Sequence, residues 1–132
     1  MSGWGIARFD AQRESGLPSV LLIEAETPLM QRMAWILLEE GFETSKVAHA
    51  SDAPDKVQEY QPDVIIMNND MPDPQKQACI HELRTIVPNA RIIDLHSASH
   101  AMQTEHKGAD EYLHLPFDAQ SLVEKVNVLL DR

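Results

Sequence analysis

The side chains best suited to chemistry in this chain come in short clusters: Glu24 and Glu26, Asn68 and Asp70, and His96 with Ser97, with His100 and His114 further along. Carboxylates are hard oxygen donors. Histidine beside carboxylate suits zinc and other transition metals. However, no two of these histidines have the tight spacing of a known metal motif, so scattered surface histidines are the plainer reading. His96 beside two or three carboxylates would be drawn toward its charged form, which would make a pocket sensitive to pH. The simpler alternative is a neutral, hydrogen-bonded imidazole that fills space. The one cysteine, Cys79, cannot form an internal disulfide and has no ligand-spaced neighbour. It reads as a small buried apolar residue on a helix.

Scattered residues become a site only if the chain folds them together, and the segments before each cluster explain how it could. Ser19-Val-Leu-Leu-Ile23 is a short continuous apolar run, as expected of a parallel strand buried on both faces. Thr27 and Pro28 then open a helix carrying Leu29, Met30, Met33, Ile36 and Leu37 at helical spacing, and Gly41 closes it. A weaker strand over 43–48 and a helix over 52–60 follow. Pro62-Asp63-Val-Ile-Ile-Met67 is the most apolar strand, followed by a Pro-rich turn at 72–74 and a helix near 75–87. Arg91-Ile-Ile-Asp-Leu95 gives a fourth strand, 98–107 a weak helix ended by Gly108, and Glu111 to His114 a short fifth strand. Asp118 caps a last helix with Leu122, Val126, Leu129 and Leu130 on one face.

Strict alternation of strand and helix predicts an α/β fold: a single doubly wound, five-stranded parallel sheet with right-handed crossovers, flanked by five helices. In such a sheet the crevice lies at the carboxyl ends of the strands. All the clusters fall at those ends: Glu24-Ala25-Glu26, Asn68-Asn69-Asp70, His96-Ser97 and Leu115-Pro116.

The bulk properties narrow the partners. At 132 residues the chain makes one domain, residues 19–132, behind a polar leader, 1–18, that carries Trp4, Ile6 and Phe9. A formal charge of −10 would be repelled by nucleic acid and by anionic membranes. Without a signal peptide or an apolar run near the ~18 residues of a membrane span, the expected compartment is the cytoplasm.

Over residues 19–131 the sequence resembles the receiver domain of bacterial response regulators, which is CheY-like, with strand order 2-1-3-4-5. The resemblance rests on Pro62-Asp63-Val-Ile-Ile-Met67, Met71-Pro72, Leu83-Arg84, Gly108-Ala109-Asp110 and Leu115-Pro116-Phe117. In the family, Met-Pro lies three residues past the phosphoacceptor aspartate, and Leu-Arg falls twelve residues after that Met. Asn68, Met71 and Leu83 keep both spacings without a gap.

What the resemblance implies about the site is mostly loss. A working receiver uses an aspartate nucleophile, two acids that hold Mg²⁺, a Thr or Ser after the fourth strand and a Lys before the proline after the fifth. Asn68 stands at the nucleophile position, and a neutral amide is a poor nucleophile. Glu24 keeps one acid of the metal pair, Ala25 deletes the other, and Glu26 falls one position late. His96 replaces the hydroxyl residue and Leu115 replaces the lysine. Asp70 and Glu26 are residual acids of the rim. Lys76 stands where the family usually has a glycine at the start of the third helix. From His96 to Leu115 is 19 residues, about three fewer than usual for the family, which shortens the fourth-helix region.

The losses are mutually consistent, because a lysine facing Asn68 would be a partly buried cation without a partner. The expectation is therefore a degenerate receiver with no catalytic residue, no resident cofactor beyond weak Mg²⁺ binding, and no enzyme activity. It would act independently of phosphorylation in two-component-type signalling. Its partner would be a protein or a second copy, met through the fourth helix, fifth strand and last helix, with an output domain often following in this family. Two rivals remain at this level: a phosphoacceptor using a nonstandard residue, and a small-molecule or metal sensor in the altered pocket.

Overall fold

The structure, a computed structural model, describes residues 17–23, 28–67, 73–97, 109–115 and 118–130. Five strands, β1 (Ser19–Ile23), β2 (Glu43–Val47), β3 (Val64–Met67), β4 (Arg91–Ser97) and β5 (Glu111–Leu115), form one sheet in the order β2-β1-β3-β4-β5. Every pairing is parallel. Four helices are described: α1 (Pro28–Glu39), α2 (Ala53–Tyr60), α3 (Asp73–Ile86) and α4 (Ala119–Leu129). The expected sheet order and parallel pairing are borne out, while the helix expected over 98–107 lies outside the described residues.

The apolar runs become strands because each face of the sheet is covered. Side chains alternate across a strand, and the core divides accordingly. Val20, Leu22, Val64, Ile66, Ile93 and Leu95 face Met30, Met33 and Leu37 of α1 and Leu122 and Val126 of α4. Leu21, Ile23, Ile65, Met67 and Ile92 face Ala53 and Val57 of α2 and Cys79, Ile80 and Leu83 of α3. The Leu, Ile and Met side chains of these layers are almost completely buried, each worth about 1.5–3 kcal/mol relative to exposure. β2 is the exception. It is an edge strand of mixed polarity, Glu-Thr-Ser-Lys-Val, half-buried along most of its length, which protects the edge from pairing with another chain.

Chain ends of the elements follow local chemistry. Gly41 adopts φ +93, a conformation that side chains with a Cβ resist. There Phe42 N–H donates to Leu37 O at 2.9 Å and Gly41 N–H to Leu38 O at 3.1 Å, satisfying the last carbonyls of α1. Asp118 caps α4, its Oδ1 accepting from Ser121 N–H at 2.7 Å. This hydrogen bond holds the Asp118 carboxyl below its usual range.

Two of the sequence fragments are explained by single acids. Asp63 Oδ2 accepts from the Ser19 amide at 2.9 Å, while the backbone N–H of Asp63 donates to Ser19 O and its carbonyl accepts from Arg91 N–H. The Pro-Asp dipeptide thus ties together the amino ends of β1, β3 and β4, the end opposite the crevice. Asp110 Oδ2 accepts from Ile92 N–H at 2.8 Å and from Arg84 Nη2 at 2.9 Å. The Leu-Arg and Gly-Ala-Asp fragments therefore meet in one contact joining α3, β4 and the entry to β5.

Candidate functional site

The sheet register fixes how the crevice residues are delivered. Ile23 of β1 and Met67 of β3 are direct ladder partners. Glu24 and Asn68 are the next residues along the chain from that pair. The residues Glu24, Ala25, Glu26, Asn68 and Asp70 themselves lie outside the described residues. β4 and β5 run further than the apolar runs suggest, to Ser97 and Leu115. His96 stands opposite His114, and Ser97 opposite Leu115, in the parallel ladder. The structure thus brings the backbone of His96, Leu115 and His114 to the same level of two adjacent strands.

One layer inward the structure holds a feature that the sequence reading passed over. Lys76, in the first turn of α3, donates from Nζ to Asp94 Oδ1 at 2.6 Å. Their side chains are 2% and 0% exposed. Asp94 is the ladder partner of Met67, the residue before Asn68. The pair occupies the face of the sheet that carries Met67, Ile92, Cys79 and Ile80, an apolar layer. Charges are almost never buried unless paired, and a lysine opposite an aspartate meets that condition. Two signals for it were present in the sequence: an acid inside the apolar run Arg91-Ile-Ile-Asp-Leu95, and a lysine where the resemblance expects glycine.

Two other described groups, Cys79 and Tyr60, hold their protons more tightly than usual. Burial, then the nearby Glu82, pushes the Cys79 thiol up to about 11, which leaves it protonated and inert at neutral pH. Burial, then Glu43 and Asp63, pushes the Tyr60 phenol up to about 12. Among the described residues no group of three or more His, Cys, Asp or Glu is placed to hold a metal ion.

A divalent cation, which the receiver resemblance implies, fits the residues of this crevice poorly. Ala25 offers no side-chain oxygen. Asp94, the described acid at the carboxyl end of the central strands, already accepts from Lys76. None of the described helices is long and apolar enough to cross a membrane.

On the other side of β4, strand β5 forms the sheet edge. Glu111 of β5 accepts from Lys125 Nζ of α4 at 2.9 Å. Beside them lies a shallow cleft of about 200 Å³ lined by Glu111, Ser121, Glu124, Lys125 and Val128. Val128 is 66% exposed.

Comparison with known proteins agrees with this architecture. CheY, a chemotaxis protein of Bacillus subtilis, is 25% identical over 116 residues, covering 85% of this chain and 97% of that protein. The phosphate regulon transcriptional regulatory protein PhoB of Rhizobium meliloti is 26% identical over 121 residues, covering 88% of this chain. The chain spans about half the length of PhoB and of several other curated relatives it matches. A solved response regulator receiver domain protein from Clostridium thermocellum superposes with a TM-score of 0.76 at 26% identity, covering 88% of this chain and 96% of that one. The family model described as the response regulator receiver domain matches residues 20–127. With that span, the parallel 2-1-3-4-5 sheet and the register that leads to Asn68, the chain belongs to the response regulator receiver domain family.

Proposed function

We propose that this receiver works without phosphorylation, as a protein-binding module in two-component-type signalling. The observation that carries the reading is Asn68, the residue that follows the Ile23–Met67 ladder pair at the end of β3. An amide there offers no carboxylate to attack phosphorus. Ala25 and Leu115 remove a metal ligand and the cation that would pair with an acyl phosphate. The buried Lys76–Asp94 pair supports the same reading, since a lysine and an acid of this region already pair with each other. Weak Mg²⁺ binding through Glu24 is the most this crevice would show.

Residues 19–132 form the working module and 1–18 a leader, in a cytoplasmic protein. The partner is a protein or a second copy, engaged through β5, α4 and the shortened segment before β5. The open edge of β5, the Glu111–Lys125 pair and the exposed Val128 favour that face. In the longer relatives a further region accompanies the matched part, so an output domain in the full protein fits the same scheme.

The test is intact mass after incubation with Mg²⁺ and acetyl phosphate, together with binding of beryllofluoride. The expected result is no added phosphoryl group and no bound mimic. A gain of one phosphoryl mass would instead establish a phosphoacceptor using a nonstandard residue.

A further inference from the structure

We infer that the Lys76–Asp94 ion pair is a built-in latch that holds the carboxyl ends of β3 and β4 and the first turn of α3 in one arrangement. This deepens the reading above, because a module released from phosphoryl chemistry has no use for a mobile crevice.

The argument starts from position. Lys76 sits in the opening turn of α3, and Asp94 lies on β4 two residues before His96, which the resemblance places at the switch position. Asp94 is also in register with Met67 at the end of β3. One 2.6 Å contact therefore ties α3 to β4, and the ladder between β4 and β3 brings in the third segment that borders the crevice. Any shift of the β4 end, or of the first turn of α3 alone, has to separate the two charges.

Burial makes that separation steep. With side chains 2% and 0% exposed, neither group can pass to water as the pair opens. The core cluster on the same face of the sheet, with Met67, Cys79, Ile80 and Ile92, is apolar. Attraction between charges is strongest in such a medium, and a single charge left behind there is heavily penalised. A surface pair would open and close at little cost, so burial is what turns this contact into a latch.

The chemistry also separates latching from mere stability. A buried ion pair contributes little net stability compared with well-packed apolar residues of similar volume. Two apolar side chains could slide past one another in small steps, whereas a buried lysine and aspartate lose their attraction as soon as they move apart. Conformational definition is what the pair adds here.

The experiment compares the wild-type chain with the Lys76→Met/Asp94→Leu double variant, by thermal unfolding and by residue-resolved amide hydrogen exchange. The internal reference is Leu21 and Leu22 in the middle of β1. The expected result is a melting midpoint near that of the wild type, with exchange at Met67 and Leu95 faster by about ten-fold or more and unchanged at Leu21 and Leu22. Unchanged exchange at Met67 and Leu95 in a folded double variant would overturn the latch. Relaxation dispersion on the wild-type protein gives a second test that needs no variant. Quiet Met67 and Leu95 amides support the latch, and microsecond-to-millisecond exchange at both overturns it. Phosphoryl incorporation is measured by mass on the same wild-type sample. Labelling there defeats the functional reading while leaving the exchange result to decide the latch.

Discussion

Removing Lys76 alone should be among the most damaging single changes this domain can suffer, and the structure says by how much. At 2.6 Å and an effective dielectric constant of about 20, the attraction in the pair is roughly 6 kcal/mol. Desolvating the two ions costs several kcal/mol each, so the intact pair comes out near zero against an apolar alternative. Lys76→Met keeps most of the volume and removes the cation beside the fully buried Asp94. Breaking a buried pair in this way costs about 3–5 kcal/mol. That is a large part of the ~5–15 kcal/mol that holds a domain of this size together, and it corresponds to a fall in Tm of roughly 10–20 °C. Asp94→Leu should cost a similar amount by stranding Lys76. The double variant should recover to within about 1 kcal/mol of the wild type, because no charge is then stranded. Urea and thermal unfolding of all four proteins close the cycle. If Lys76→Met alone costs under about 1 kcal/mol, or if the two single effects simply add in the double variant, the pair is not the buried, coupled unit described here.

Asn68→Asp alone should not take up phosphoryl groups efficiently from acetyl phosphate, since position 25 still lacks an acid and position 115 a lysine. Ala25→Asp, Asn68→Asp, His96→Thr and Leu115→Lys combined should label better by intact mass, and rapid labelling of the single variant would refute the reasoning. Gly41→Ala should destabilise by about 1–2 kcal/mol in urea unfolding. The cost comes from the +93° φ, because among the described residues a Cβ there would meet only Leu17 Cδ2, at a comfortable 4.0 Å. Tyr60 should ionise near pH 12 when followed at 295 nm. Its folded-state value lies above the ordinary 10, so the folded chain holds that proton longer than the unfolded chain does, and stability falls as pH rises from about 10 to 12. Tyr60→Phe should remove that fall and be neutral or slightly stabilising at pH 7, since the buried hydroxyl has no hydrogen-bond partner among the described residues.

Much of the fold was legible because it is written in local pattern. The continuous apolar runs of β1 and β3 could only be strands buried on both faces, and both are. Gly41 and Asp118 marked helix ends by chemistry that acts within a few residues. The strand ends were less legible, for a physical reason. β4 reaches Ser97 because Ser97 is in register with Leu115 of β5, and a ladder ends where its partner ends, not where hydropathy falls. Asp63 and Asp110 were visible as parts of family-like fragments, yet their work at the amino ends of the strands emerges only when distant segments meet. The crevice residues were named from the resemblance, and the structure adds the register that leads to them rather than their own geometry.

The Lys76–Asp94 pair was the least legible feature and bears most directly on function. Read separately, each residue looks like an error: a lysine at the head of a helix where a small residue is usual, and an aspartate in the middle of an apolar strand. They lie on two different elements, a helix and a strand, so no periodicity within one element links them. Read together they cancel, and the cancellation changes how the losses at Asn68 and Leu115 are understood. The chain has not simply shed charge from the neighbourhood of the crevice. It carries one cation and one anion a layer further in, where water does not reach them. Charge at the crevice surface can be altered by a ligand, a metal or a phosphoryl group. Charge sealed between α3 and β4 answers only to a movement of the backbone that carries it. On the function proposed above, a receiver built this way would respond to a partner that grips its outer faces rather than to chemistry in its crevice.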